Sequence, residues 1–151
     1  MNIPIQPIGY IQSNFENKTI SARQPAIDGK YGVLVLNESM IEGLDGLNEF
    51  SHIIAIYYFH LQSEVHMRAK PCFDPTVDHG IFASRYPTRP NHIGISVLTL
   101  ENICKNKIYC SDVDVVNNTP LLDIKPYVKQ FDCMDNPISG WYDSVDWSSQ
   151  L

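Results

Sequence analysis

Two arginines lie close together in the proline-containing segment SRYPTRPN, residues 84–91. Arg85 and Arg89 are four residues apart, and Pro87 and Pro90 stiffen the segment because each proline fixes its backbone φ. An arginine presents a planar fork of donors that matches a carboxylate or a phosphate. We therefore expect a rigid loop that binds an anion, in which Asn91 reads an amide or a base edge. The alternative is that both arginines pair with the protein's own acids.

Two further segments carry polar groups in places that suit a ligand. In ARQP, residues 22–25, Arg23 and Gln24 precede Pro25, and together they suit a carboxylate and an amide-like edge. In FHL, residues 59–61, His60 ends the most apolar segment of the chain. A histidine in that position is more often a core or rim residue with satisfied hydrogen bonds than a ligand contact.

A run of acids follows in DVDVVNNTPLLDIKPY, residues 112–127. Residues two apart in a strand share a face, so we expect Asp112 to lie beside Asp114 and Asp123 to lie beside Lys125. Asp123 and Lys125 form either a surface ion pair, which contributes little to stability, or a base held beside a cation.

The four cysteines include no C-x-x-C pair, which gives a zinc site little support. The amino-terminal residues lack the basic and apolar regions of a secretory signal, and no run of 18 apolar residues occurs. We therefore expect a cytoplasmic protein with free thiols, no metal and no membrane contact.

The chain has 151 residues, the size of one ordinary domain, and its net charge is −6. The negative charge argues mildly against a protein that coats nucleic acid without sequence specificity. Residues 68–129 nevertheless carry eight basic and six acidic side chains, so this middle segment either binds an anion locally or has an ordinary mixed surface.

Apolar alternation and turn residues predict a mainly β protein, either a barrel or a sandwich. Apolar residues that recur three and four positions apart predict a short helix at 38–50. Residues 62–79 are predicted to form a long loop. No glycine-rich strand-to-helix turn supports a Rossmann fold. The predicted strands are 5–13, 30–37, 51–61, 80–84, 92–103, 107–116 and 121–128.

Five segments in this order resemble the TsaA-like (TrmO) family of S-adenosylmethionine-dependent tRNA methyltransferases. They span residues 5–128 and are IGYIQS, ARQP, GLDGLNEFSHIIAIYYFH, GIFASRYPTRPNHIGIS and NNTPLLDIKPY. The resemblance implies a single-sheet β-barrel with short helical insertions at residues 1–130. The tail at 131–151 reads as irregular, and its rings Trp141, Tyr142 and Trp147 are available to pack it on or near the barrel. The resemblance also implies a homodimer and methylation of N6 of threonylcarbamoyladenosine, next to the tRNA anticodon.

The same resemblance implies roles for individual residues. Those at S-adenosylmethionine would be Arg23, Gln24, Pro25, His60, Arg85, Asp114, Val115 and Asn117. Arg89 and Asn91 would bind the substrate, and Asp123, Lys125 and Tyr127 would be catalytic, with Asp123 or Tyr127 taking the proton from N6. The family commonly has Asp-Gly-Thr-Pro where this chain has Asn117-Asn118-Thr119-Pro120.

Two other functions stay open at this stage. The protein could use the same methyl donor with a small-molecule or other RNA acceptor, which its negative charge favours. It could also be a non-catalytic module that binds a nucleoside or a sulfonium.

Overall fold

The computed structural model of the protein describes residues 3–16 and 30–149. Six antiparallel strands in these residues close into a barrel in the order β1-β2-β7-β6-β3-β8. These strands are β1 (Gly9–Gln12), β2 (Lys30–Leu36), β3 (His52–Tyr58), β6 (Ile93–Cys104), β7 (Lys107–Val113) and β8 (Thr119–Pro126). Two short strands, β4 (Arg68–Ala69) and β5 (His79–Gly80), pair outside the barrel. The mainly β barrel predicted from the sequence is confirmed.

Alternation of apolar residues explains why these segments form a closed sheet. In β3, Ile53, Ala55 and Tyr57 are buried inside the barrel, and the residues between them face outward. The core consists of such inward residues from every barrel strand together with the segments that flank them. It contains Ile11, Leu34, Leu36, Leu44, Ile53, Ala55, Tyr57, Leu98, Ile108, Cys110, Val113, Val115 and Leu121.

The helical elements are short. They are the 3₁₀ turns Glu38–Leu44, Leu47–Glu49, Ile81–Ala83, Gly140–Ser144 and Trp147–Ser149, and one α-helical turn, Lys129–Asp132. No helix in the described residues is long and apolar enough to cross a membrane.

Three predicted segments have a different secondary structure in the protein. The helix predicted at 38–50 is two 3₁₀ turns, because Gly46 adopts a left-handed φ of 76° between them. The strand predicted at 80–84 was wrong beyond Gly80. Ile81–Ala83 forms a 3₁₀ turn, which buries Ile81. The loop predicted at 62–79 contains β4 and the start of β5.

One end of the barrel gathers several of the predicted site residues. Antiparallel pairing brings the carboxyl ends of β3 and β7 next to the amino ends of β6 and β8. The carboxyl end of β1 and the amino end of β2 lie at this same end. We call it the upper mouth.

Candidate cofactor site at the upper mouth of the barrel

A cavity of about 560 Å³ opens at the upper mouth. Its volume lies in the range of roughly 300–1,000 Å³ that is usual for small-molecule and cofactor sites. Its aromatic lining consists of Tyr57, Phe59, Phe73, Tyr86 and Tyr142. Its polar lining includes His60, Gln62, Arg85, Arg89, Asp114 and Thr119. The cavity therefore combines flat apolar surfaces with a few charged groups, as a nucleoside site requires.

A chain of hydrogen bonds runs from the barrel core to the cavity wall. The Ser96 hydroxyl donates to Asp114 Oδ1 at 2.7 Å, and the Tyr57 hydroxyl lies 3.0 Å from Ser96 Oγ. Ser96 has one hydroxyl proton, and it goes to Asp114, so Tyr57 is the donor to Ser96. Tyr57 and Ser96 are only 4% and 3% exposed, so this series of hydrogen bonds holds Asp114 from the side of the wall that excludes solvent.

Burial raises the pKa of Asp114 from its ordinary 3.8 to about 6. The hydrogen bond from Ser96 and the positive charge of Arg85 offset part of that effect. Burial, and next the charge of Asp114, also raises the pKa of Tyr57, so the Tyr57 hydroxyl stays protonated. At neutral pH, Asp114 is therefore an ionised acceptor on the cavity wall, and a cation or a donor bound beside it would favour the ionised form further.

The ring of Tyr57 is fixed by its neighbours. A Cβ added to Gly94 would lie only 2.3 Å from Tyr57 Cε2 and 2.8 Å from Phe59 Cζ. Phe59 meets the Tyr57 ring edge-on, with the centroids 5.5 Å apart. The close approach of the Gly94 backbone explains why this position of β6 lacks a side chain.

His60 lies at the end of β3, on the cavity wall, as the sequence predicted for a rim residue. Its Nδ1 is 3.5 Å from Thr119 Oγ1, which itself donates to the Val116 carbonyl at 2.6 Å. Burial lowers the pKa of His60, so its imidazole is neutral at physiological pH.

The two arginines of the 84–91 loop have different surroundings. Arg89 Nη1 donates to the Ser84 carbonyl at 3.1 Å and to the Tyr86 carbonyl at 3.3 Å, which braces the loop. The Arg85 side chain lines the cavity and makes no ion pair with any residue in the described ranges. Asn91 is exposed and does not line the cavity.

The structure separates the two aspartates that the sequence places on one face. Asp112 has a left-handed φ of 66°, which reverses the alternation at the end of β7. Asp112 Oδ2 accepts from Thr99, on the outer side of β6, whereas Asp114 accepts from the inward Ser96. The expectation of a shared face was therefore wrong, and only Asp114 reaches the cavity.

The predicted catalytic residues lie elsewhere in the chain. Asp123 and Lys125 form an exposed ion pair at 2.8 Å on the outer side of β8. At roughly 3.3 Å per residue, they lie about 13 Å and 20 Å along β8 from Thr119. Tyr127 packs against His52, and partial desolvation and then Cys133 raise the pKa of Tyr127. None of the three lines the cavity, and their catalytic role stays a prediction.

The remaining residues predicted to bind the cofactor do not all lie at the cavity. Val115 lines the cavity. Asn117 serves the turn before β8 instead, because its Oδ1 accepts from the Ser13 backbone at 3.1 Å. Arg23, Gln24 and Pro25 lie outside the described residues.

Sequence analysis missed several residues of this site, and Tyr57, Ser96 and Tyr142 are the ones that matter most to its geometry. Tyr57 and Ser96 were read only as strand residues, although small and hydroxyl-bearing residues at inward barrel positions are a signal of polar contacts. Tyr142 lines the cavity from the tail, where the sequence indicated a packing role for its ring and gave no sign of a ligand site. No group of three or more His, Cys, Asp or Glu in the described part of the chain is arranged to hold a metal ion.

Residues 10–133 match the family model described as the tRNA-methyltransferase O N-terminal domain. The chain belongs to this family. The membership confirms the family predicted from the five sequence segments.

Known proteins of the family share both sequence and fold with the chain. A probable S-adenosyl-L-methionine-binding protein of Pyrococcus abyssi is 42% identical over 137 residues, which are 90% of this chain and 74% of that protein. The tRNA (adenine(37)-N6)-methyltransferase of Rattus norvegicus is 34% identical over 142 residues, which cover 89% of this chain and 33% of that enzyme.

The crystal structure of TrmO from Pseudomonas aeruginosa superimposes with a TM-score of 0.73 and 35% identity. That match covers 93% of this chain and 62% of the Pseudomonas chain. The chain thus spans about three fifths of that chain and a third of the rat enzyme.

Proposed function

We propose that this protein is an S-adenosylmethionine-dependent tRNA methyltransferase that acts on N6 of the adenine at position 37. The observation that carries this is the cavity at the upper mouth, where Asp114, Arg85 and His60 meet a wall of aromatic rings. The names of the related proteins from Pyrococcus abyssi and Rattus norvegicus support the cofactor and the reaction.

The residues of the cavity fit S-adenosylmethionine. The rings of Phe59 and Tyr86 offer flat apolar surface to an adenine, and ionised Asp114 accepts from hydroxyl or ammonium donors. The Arg85 guanidinium suits the carboxylate. When bound, S-adenosylmethionine supplies an electrophilic methyl group. The protein must hold donor and acceptor in line, and such alignment lowers a barrier by roughly 7–11 kcal/mol.

The finer substrate in this proposal is threonylcarbamoyladenosine next to the anticodon. Its carbamoyl group lowers the electron density on N6, so a base must take the N6 proton as the methyl group arrives. Asp123 is the base we assign, because its carboxylate is exposed and lies 2.8 Å from the Lys125 ammonium. Arg89 and Asn91 then serve the acceptor side.

We further propose that the protein works as a homodimer. Six apolar side chains cover the outer side of β3 and β6 and pair across the two strands. We call them the outer apolar face: Ile54 with Val97, Ile56 with Ile95, and Tyr58 with Ile93. Of these residues, Ile95 is 50% and Val97 42% exposed.

The outer apolar face links the cavity to the distant catalytic pair. Ile93 and Ile95 belong to the cavity wall, whereas Asp123 and Lys125 lie beside Ile56 and Ile54 at its other edge. A two-fold interface places each residue of one subunit against a different residue of the other. An antiparallel dimer on this face would therefore carry the Asp123–Lys125 pair of one subunit toward the cavity of the other.

The test of the function is methyl transfer from labelled S-adenosylmethionine to three acceptors. They are a tRNA transcript with threonylcarbamoyladenosine at position 37, the same transcript with plain adenosine, and the free modified nucleoside. Nucleoside digestion and mass spectrometry then locate the methyl group. Label on N6 of the modified tRNA is the expected result. Transfer to the free nucleoside at an equal rate would contradict a tRNA substrate, and transfer to none would contradict the enzyme.

A further inference from the structure

The tail beyond the barrel forms an aromatic column beside the cavity. The rings follow one another in space in the order Phe73, Trp147, Tyr142, Trp141 and His79. Their centroids are 5.2, 6.4, 3.7 and 4.2 Å apart in turn. The three middle rings belong to residues 140–147, which lie outside the 10–133 match to the family model. We call residues 140–147 the strap.

Polar contacts attach the strap to the loops around the cavity. Trp141 Nε1 donates to the Ala83 carbonyl at 2.8 Å, directly before the arginine loop. Trp147 Nε1 donates to the Tyr142 carbonyl at 3.1 Å, so the strap is also braced within itself. His79, at the end of the column, bonds to Asp74 Oδ2 at 3.0 Å.

Tyr142 is the strap residue that reaches the cavity. Burial raises the pKa of Tyr142, while a hydrogen bond with the Arg85 backbone and the charge of Arg85 lower it. Burial is the largest of these causes, so the Tyr142 hydroxyl stays protonated at neutral pH. Trp141 bonds to the Ala83 carbonyl, and Tyr142 lines the same cavity as Arg85, so the strap contacts residues 83–85 at two places.

The guanidinium that this contact positions is available to a ligand. Arg89 uses its Nη1 on two loop carbonyls, whereas Arg85 has no ion-pair partner in the described ranges. Asp114 lies within electrostatic reach of Arg85, but its Oδ1 is already bonded to Ser96. An unpaired guanidinium on a cavity wall is best satisfied by a bidentate anion such as a carboxylate.

We propose that Tyr142 is a positioning residue that fixes Arg85 to receive the carboxylate of the amino-acid part of the ligand. The strap thereby makes the site selective for ligands that carry this part over those that have the adenosyl part alone. This inference rests on the proposed function, because it takes the methyl donor as the ligand of the cavity.

The test is calorimetric titration of the full chain with S-adenosylhomocysteine and with 5′-methylthioadenosine, which lacks the amino-acid part. We expect the unaltered protein to bind S-adenosylhomocysteine more tightly. Arg85→Ala should weaken S-adenosylhomocysteine binding about tenfold or more, the effect of a charge-assisted pair, and leave 5′-methylthioadenosine unchanged. Tyr142→Phe should weaken it about fivefold, the effect of one hydrogen bond, again without changing 5′-methylthioadenosine.

Tyr10→Phe is the matched control, since Tyr10 lies on β1 outside the cavity wall, and it should bind both ligands as the unaltered protein does. Equal weakening of both ligands in Tyr142→Phe would overturn the inference, because it would assign Tyr142 to the adenosyl part. No change in Tyr142→Phe would also overturn it. If the unaltered protein bound neither ligand, the proposed function itself would fail, and this result is distinct from the other two.

Discussion

Ser96 and Asp114 are joined by a 2.7 Å hydrogen bond that links the interior of the barrel to its cavity. Ser96 belongs to β6 and is buried, whereas Asp114 follows β7 on the cavity wall. Tyr57 completes the chain from β3. Three neighbouring strands therefore contribute one group each to the placement of a single carboxylate, and the following predictions begin from that carboxylate.

The Asp114→Asn protein should be more stable than the unaltered protein at pH 8. This advantage should be smaller at pH 4. The pKa of Asp114 is about 6 in the folded chain against an ordinary 3.8. Folding thus favours its protonated form, and ionisation of this group costs stability as the pH rises from about 4 to about 6. The difference between the two proteins should grow across that window to at most about 3 kcal/mol. Urea unfolding at several pH values measures it, and a constant difference would contradict the assignment.

The affinity of the unaltered protein for S-adenosylhomocysteine should fall as the pH drops below about 6, because protonated Asp114 loses its charge as an acceptor. Asp114→Asn should bind more weakly at pH 8 and lose this pH dependence. Calorimetry from pH 5 to pH 8 gives both values. A pH profile that is the same in both proteins would assign the titration to another group.

Gly94→Ala should destabilise the protein by about 1–3 kcal/mol and lower cofactor affinity. The added methyl group would lie 2.3 Å from Tyr57 Cε2, and Tyr57 has no room to move within the core. Gly43→Ala is the matched control, since nothing lies within 4 Å of the added Cβ there and Gly43 is exposed. Thermal unfolding and calorimetry compare the two variants. Equal behaviour of both would show that the Tyr57 ring is not held by Gly94.

Ile95→Glu should convert a dimer to a monomer, because it places a charge in the middle of the outer apolar face. Ile41→Glu changes another exposed isoleucine, 40% exposed against 50% for Ile95, away from that face and should leave the dimer intact. Sedimentation velocity measures the mass of each protein in solution. A monomeric unaltered protein, or an Ile95→Glu protein that still dimerises, would refute the homodimer on this face.

Asp123→Asn should bind S-adenosylhomocysteine normally and lose turnover, because Asp123 lies about 13 Å along β8 from the cavity in its own subunit. Arg85→Ala should lose cofactor binding. If the catalytic pair acts on the cavity of the partner subunit, mixing and refolding the two inactive variants should restore activity in the mixed dimers. An active Asp123→Asn protein would contradict the assignment of Asp123 as the catalytic base. If the mixed dimers stay inactive, the catalytic pair and the cavity of each active site belong to the same chain.

Local chemistry explains why some of the site was predictable. Pro87 and Pro90 fix the arginine loop whatever surrounds it, and the apolar alternation around His60 places it at a strand end. Both Arg85 and His60 were therefore found from sequence, and both line the cavity. Asp112 shows where such reasoning fails, because one left-handed φ at the end of β7 sends its side chain to the opposite side of the sheet from Asp114.

The sequence by itself determined the six barrel strands and the family, since apolar alternation and specific motifs are local properties of the chain, and the family resemblance then implied the barrel. Only the tertiary structure decided which polar groups meet. Tyr57, Ser96 and Asp114 are far apart in sequence, and barrel closure brings their strands into register. Tyr142 reaches the cavity because ring stacking folds the tail back onto the loops. Such contacts depend on long-range packing, which no short window of sequence encodes.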